Sequence, residues 1–121
     1  MFERCPCGLG PTYLACCARY HSGQAVAPTA EALMRARYSA FARRDPAFLM
    51  ASWAPETRPP GIEFGADETW LGLEVERAET AGDTAIVRFA ARWRRGGQVG
   101  VQRETSRFRR EDGRWLYVDG R

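Results

Sequence analysis

The 121-residue chain is 45% hydrophobic with a net charge of +3, which is enough for one core and too short for two full ones. No run approaches the roughly eighteen apolar residues of a membrane span. Met1-Phe2-Glu3-Arg4 leads straight into cysteines, so neither a span nor a secretory signal is expected and the chain reads as cytoplasmic. The pI of about 8.9 falls short of a dedicated nucleic-acid binder, and every basic residue is Arg, whose charge persists on burial.

All four cysteines fall in one short stretch, Cys5-Pro6-Cys7 and Cys16-Cys17. Structural cysteines behave as small apolar residues and scatter through a core, so this clustering marks a site. Two close thiol pairs joined by a tight loop suit a tetrahedral zinc centre, with Pro6 holding a turn and Gly8 and Gly10 letting the backbone fold back. Three other readings compete. A disulfide framework fits the count but not a chain with its own core. A redox dithiol would want two residues between its cysteines. An iron–sulfur cluster suits the adjacent Cys16-Cys17 less well than a mononuclear ion does. His21, four residues past Cys17, could replace one thiolate as a ligand, but it reads first as a hydrogen-bonding or capping residue near the site, because four thiolates already complete a tetrahedron. With its thirteen-residue span, the motif reads as an appendage to the single core.

Thr29 is a good N-cap for a helix in which Ala30, Leu33, Met34, Arg37, Tyr38 and Phe41 share one face. Arg37 therefore sits inside an apolar arc, while Arg35, Ser39 and Arg43 fall on a face expected to be solvated. Asp45-Pro46 ends this helix and opens a second, Ala47 to Trp53. Pro55 to Ala66 reads as a loop around Pro59-Pro60-Gly61.

Strand signals follow. Leu71, Leu73 and Val75 alternate with polar or small residues, and Ala81-Gly82-Asp83 makes a hairpin turn. Ala85, Val87, Phe89, Ala91 and Trp93 form one strand face, with Arg88, Arg92 and Arg94 on the other. Gly96-Gly97 turns the chain again. From Gln98 to Arg110 the parity is mixed, since Val99 and Val101 align with arginines whereas Phe108 aligns with Glu104 and Ser106. A bulge near the middle would reconcile them, with Glu104, Ser106 and Phe108 facing the helices. Asp112-Gly113 turns into a last strand, Arg114 to Val118. Helices followed by antiparallel strands make an α+β fold with one sheet face covered.

The pattern C-x-C-x8-C-C resembles the SEC-C motif, a zinc-binding module of the SecA translocation ATPase tail. Around it, Tyr13, Tyr20-His21 and Gly23, the run Thr29 to Phe41, and the closing stretches Glu104 to Phe108 and Gly113 to Gly120 resemble the YchJ-like family of uncharacterised bacterial proteins. That resemblance implies a zinc motif over residues 1–27 joined to an NTF2-like domain over residues 28–121: a cone of curved sheet around a helix, with a mouth that holds ligands in some relatives. Where the motif usually continues with a Ser-Gly-Lys-like turn, this chain has Leu9-Gly10-Pro11. No ligand is lost, but a basic side chain that could meet a partner is.

Outside the cysteines, Arg37 and Glu104 are the most informative polar residues, because each is placed on a face that otherwise packs. They are expected to pair, as a structural ion pair or as a pocket that binds an anion, with Tyr38, Trp93, Tyr117 and Asp119 as further candidates around a ligand. The arginines at 88, 92, 94, 103, 107 and 109 form an outer stripe that could meet ribosomal RNA or another nucleic acid, though aromatic residues for base stacking are missing from it.

Two functions are compatible with these residues. One is a non-catalytic zinc protein whose motif is an interaction module on a scaffold or small-ligand-binding cone. The other is an NTF2-like isomerase, dehydratase or hydrolase using Glu104 and Arg37. Glu104 tied to Arg37 with no cavity favours the first, and an open pocket between them favours the second.

Overall fold

The computed structural model describes residues 3–10 and 12–121; Met1, Phe2 and Pro11 lie outside the described residues, so the Leu9-Gly10-Pro11 turn is followed as far as Gly10. Among the described residues three helices precede four strands: α1 (Ala18–His21), α2 (Ala30–Ala42), α3 (Pro46–Ala51), β1 (Glu68–Ala81), β2 (Thr84–Arg95), β3 (Gln98–Glu111) and β4 (Arg114–Gly120). The strands form one antiparallel sheet in chain order. Its inner face packs on α2, which also meets α1 and α3. No helix among the described residues is long and apolar enough to cross a membrane.

Thr29 caps α2 as its sequence implies, its hydroxyl accepting from the Ala32 amide at 3.0 Å, a contact that stabilises a helix by about 1 kcal/mol. The helix buries more than the single predicted arc, since Ala36, Ser39 and Ala40 are also inaccessible. The face expected to be solvated is covered by the cysteine knuckle. Ser39 lies 3.8 Å from the Cys5 sulfur, Arg35 donates to the Cys7 carbonyl, and Arg43 pairs with Glu3 and stacks on the Tyr13 ring. The knuckle is therefore packed into the fold: its four cysteines share a core with Leu33, Met34, Val87, Phe89, Phe108 and Trp115.

Asp45 caps α3 at the Phe48 amide. This helix stops at Ala51, short of the expected Trp53, because the chain beyond it turns to the edge of the sheet. Tyr117 donates to the Ser52 carbonyl and accepts from the Ala54 amide, so residues 52–54 cover the β4 backbone that would otherwise stand unpaired.

The strands depart from simple alternation at two informative places. Leu71 is exposed, because a bulge between Trp70 and Gly72 shifts the parity of β1; Trp70, Leu73 and Val75 face inward instead. In β3 the expected mid-strand bulge is absent. Its pairing with β2 runs unbroken from Arg109 to Gln98, and Val99 and Val101 simply lie outside with the arginines. The irregularity falls on β4, where Val118 is the extra residue between the pairs Arg107–Asp119 and Phe108–Tyr117. Glu104, Ser106 and Phe108 do face the helices.

Candidate metal centre and cone cavity

The four cysteine sulfurs lie within 4.8 Å of one another, all buried and none in a disulfide; Cys7 and Cys16 are 3.6 Å apart. Zinc–sulfur bonds of about 2.3 Å directed to the corners of a tetrahedron set sulfurs about 3.8 Å apart, so the cluster fits a metal ion with little adjustment. Local backbone explains the convergence. The Gly8 amide donates to the Cys5 carbonyl in a tight turn, with Gly8 at φ +80°, and the Cys16 amide donates to the Tyr13 carbonyl. Gly10 sits so close that a Cβ there would lie 2.6 Å from the Cys16 Cβ. The thiols also polarise one another. Hydrogen bonds from Cys17 and Cys7 hold Cys5 well below the usual thiol range, and Cys17 is pushed far above it by its bonds to Cys5 and Cys7 and by burial. Cys5, Cys7, Cys16 and Cys17 could hold a divalent cation, which would supply the charge that lets all four be thiolates.

His21 is held outside this cluster. Its Nε2 lies 2.8 Å from the Ala36 carbonyl, and its Nδ1 lies 2.6 Å from the Tyr13 hydroxyl. A carbonyl can only accept, so Nε2 carries the proton and Nδ1 accepts from Tyr13. The imidazole thus ties the knuckle to the middle of α2.

Between α2 and the inner sheet face lies a cavity of about 240 Å³. Met34, Tyr38, Trp70, Phe89 and Phe108 give it apolar walls; Arg37 and Glu104 are its internal charges, and Glu68 and Arg95, joined at 2.7 Å, also line it. Arg37 and Glu104 do not form the expected ion pair. Arg37 Nη1 donates to the Leu49 carbonyl at 2.9 Å and to the Ser52 hydroxyl at 2.7 Å. The guanidinium stacks 4.2 Å from the Tyr117 ring centre and 4.7 Å from that of Trp53. Burial pulls it down to about 10 against the opposing charges of Tyr117 and Glu104. Glu104 instead accepts from the Ser106 hydroxyl at 2.7 Å and lies directly over Gly120, where any side chain would collide with its carboxylate. Burial, then the Glu104 charge, pushes the Tyr117 phenol up to about 12.

Tyr38 lines the cavity as expected, edge-on to Trp70. Two other candidates do not reach it. Trp93 is on the inner face, but its indole lies over Gly100 and under the Arg95 guanidinium. Asp119 shares a parity with Tyr117 in the sequence, yet the Val118 bulge turns it outward to chelate Arg107; this bond holds its carboxyl below the usual range. Residues that the sequence did not single out, Ser52 and Trp53 around Arg37 and Gly120 under Glu104, shape the inner end. A Ser–Trp step after a capped helix and a glycine near the end of a strand were their faint signals.

Of the six outer arginines, Arg88 and Arg103 pair with Glu76, Arg107 with Asp119, and Arg109 with Glu56 and Glu111. Arg92 and Arg94 have no carboxylate partner among the described residues.

Known proteins agree with this architecture. A family described as YchJ, middle NTF2-like domain, matches residues 29–120. A UPF0225 protein of Xanthomonas campestris pv. campestris is 54% identical over 123 residues, covering 98% of this chain and 95% of its own. The solution structure of a SEC-C motif containing protein from Rhodopseudomonas palustris superposes with a TM-score of 0.89 at 33% identity over 98% of both chains. The crystal structure of a sec-c motif containing protein from Psychrobacter arcticus gives 0.79 at 27% identity, over 95% of this chain and 80% of that one. With the cysteine cluster, the cone and these matches in agreement, the chain belongs to the YchJ-like family of SEC-C motif proteins with an NTF2-like domain.

Proposed function

We propose that this is a cytoplasmic zinc-binding protein in which the metal is structural, the knuckle it holds docks a partner protein, and the cone binds a small ligand without catalysing a reaction. The observation that carries the reading is the closed donor set: four buried sulfurs within 4.8 Å of one another fill a tetrahedron and leave no position for water. Zinc held by Cys5, Cys7, Cys16 and Cys17 would supply charge and fixed geometry.

Leu9 and Leu14, 67% and 69% exposed, stand out from the knuckle as apolar contact points. Rigid turns that present exposed leucines suit a docking module. The cone's cavity, walled by aromatic side chains with a few polar groups, has the make-up of a small-molecule site. RNA fits the outer face less well, because carboxylates neutralise most of its arginines.

The open space beside Arg37 and Glu104 also favours a second reading, an NTF2-like isomerase, dehydratase or hydrolase in which Glu104 moves a proton and Arg37 steadies developing charge. Affinity capture from soluble extract separates the docking role from a purely structural knuckle. A specific partner should be retained by the wild type and lost both with Cys16→Ser/Cys17→Ser and with Leu9→Ser/Leu14→Ser, which leaves the thiols untouched. Equal recovery by all three proteins would refute it.

A further inference from the structure

Arg37 and Glu104 carry opposite charges on the wall of one cavity without touching each other. Arg37 is 5% exposed, and the hydrogen bonds it makes both leave from Nη1. Nε and Nη2 donate to nothing among the described residues. Because the rings of Tyr117 and Trp53 stack on the guanidinium, what remains for recognition is its edge, the part that grips a carboxylate with two parallel N–H bonds. Glu104, half-buried, is also only partly engaged: its Oε2 accepts from the Ser106 hydroxyl, with the Tyr117 phenol beside the carboxylate.

A buried charge is normally paired or hydrogen-bonded on all sides, so the open edge of Arg37, with the partly engaged Glu104 carboxylate across the same cavity, defines what the site can take. A simple anion would satisfy Arg37 but would face Glu104, with Glu63 also on the wall and Glu68 already paired with Arg95. A simple cation would meet Arg37. A molecule bearing both charges satisfies both. Met34, Trp70, Phe89 and Phe108 then ask for an apolar body. The volume, about 240 Å³, equals that of about eight liquid waters, which suits a single amino acid and is too small for a nucleotide.

We propose that the cone cavity binds a small zwitterion with an apolar body, of the free amino-acid class, its carboxylate on the open edge of Arg37 and its ammonium on Glu104. This rests on the reading of the cone as a ligand-binding domain. Glu104 and Arg37 then determine specificity by opposing any ligand that carries one charge alone.

The test is an NMR and calorimetric titration of the full-length, zinc-loaded protein with L-leucine, with 4-methylpentanoate, which lacks the ammonium, with 3-methylbutylamine, which lacks the carboxylate, and with inorganic phosphate. L-leucine should shift the signals of cavity residues and bind at least about tenfold more tightly than either truncated analogue, the factor expected for one lost hydrogen bond to a charged group. In Glu104→Gln, which keeps the size of the side chain and an acceptor for Ser106, the advantage of L-leucine over 4-methylpentanoate should fall to about threefold or less. Binding of 4-methylpentanoate or phosphate as tightly as L-leucine by the wild type would overturn the zwitterion while leaving a ligand-binding cone. Absence of any shift at the cavity with every probe up to about 10 mM would overturn both.

Discussion

Gly10→Ala should open the metal site without touching a thiol. A Cβ at residue 10 would stand 2.6 Å from the Cys16 Cβ and 2.8 Å from its sulfur, where ordinary contact begins at 3.4 Å. The cysteine must therefore move by about 0.8 Å, the difference between 3.4 and 2.6 Å. Metal–ligand distances tolerate about 0.2 Å, so Cys16 should leave the ion. Structural zinc binding is worth about 10–16 kcal/mol; shared equally among four thiolates, loss of one costs about 3 kcal/mol, or about a hundredfold in affinity. Competition against a chromophoric chelator measures this directly. Gly97→Ala, in a turn with open space around it, is the control and should bind as the wild type does. Gly10→Ala within about threefold of wild type would refute the placement of Cys16 at the metal.

Arg37→Met removes two hydrogen bonds from a charged donor, each worth about 1.5–3 kcal/mol, and relieves part of the cost of burying that charge. Urea unfolding should show a net loss of about 2–4 kcal/mol, and a double-mutant cycle with Ser52→Ala should give a coupling above about 1 kcal/mol; additive effects would mean that the 2.7 Å bond between them does not exist in solution. Chelation should leave the cone folded by circular dichroism but lower its Tm by about 10 °C, because the knuckle covers one face of α2; complete unfolding or an unchanged Tm would contradict this packing. Asp119, whose carboxyl Arg107 holds below its ordinary pKa, contributes stability above its unfolded pKa and loses it as pH falls through the lower folded value. The Tm difference between wild type and Asp119→Asn should thus vanish on acidification and shrink with salt; a difference that grew toward low pH would refute the sign.

The sequence was most legible where a few adjacent residues decide the structure. Thr29 and Asp45 cap their helices by contacts three residues away, the glycine turns follow from positive φ, and the cysteine spacing brings four sulfurs together within one short loop system. Errors arose where distant chain decides. Helical periodicity put Ser39 and Arg35 opposite the cone, but it could not tell that the knuckle folds back onto that face. Periodicity also placed Arg37 inward correctly; its partners, the Leu49 carbonyl and Ser52, come from a turn whose position depends on pairing with β4. Strict alternation puts Leu71 with Leu73 and Val75, and a single bulge in β1 reverses it; Asp119, a candidate beside Tyr117, is turned away from the cavity by the bulge at Val118.

Native mass spectrometry of protein purified without added metal, read together with thiol titration, tests the central claim most directly. We expect one zinc per chain and four thiols that resist alkylation until a chelator or denaturant is added, since all four sulfurs are buried within 4.8 Å of one another. A chain that is mostly metal-free, with all four thiols reacting freely in the folded protein, would contradict it.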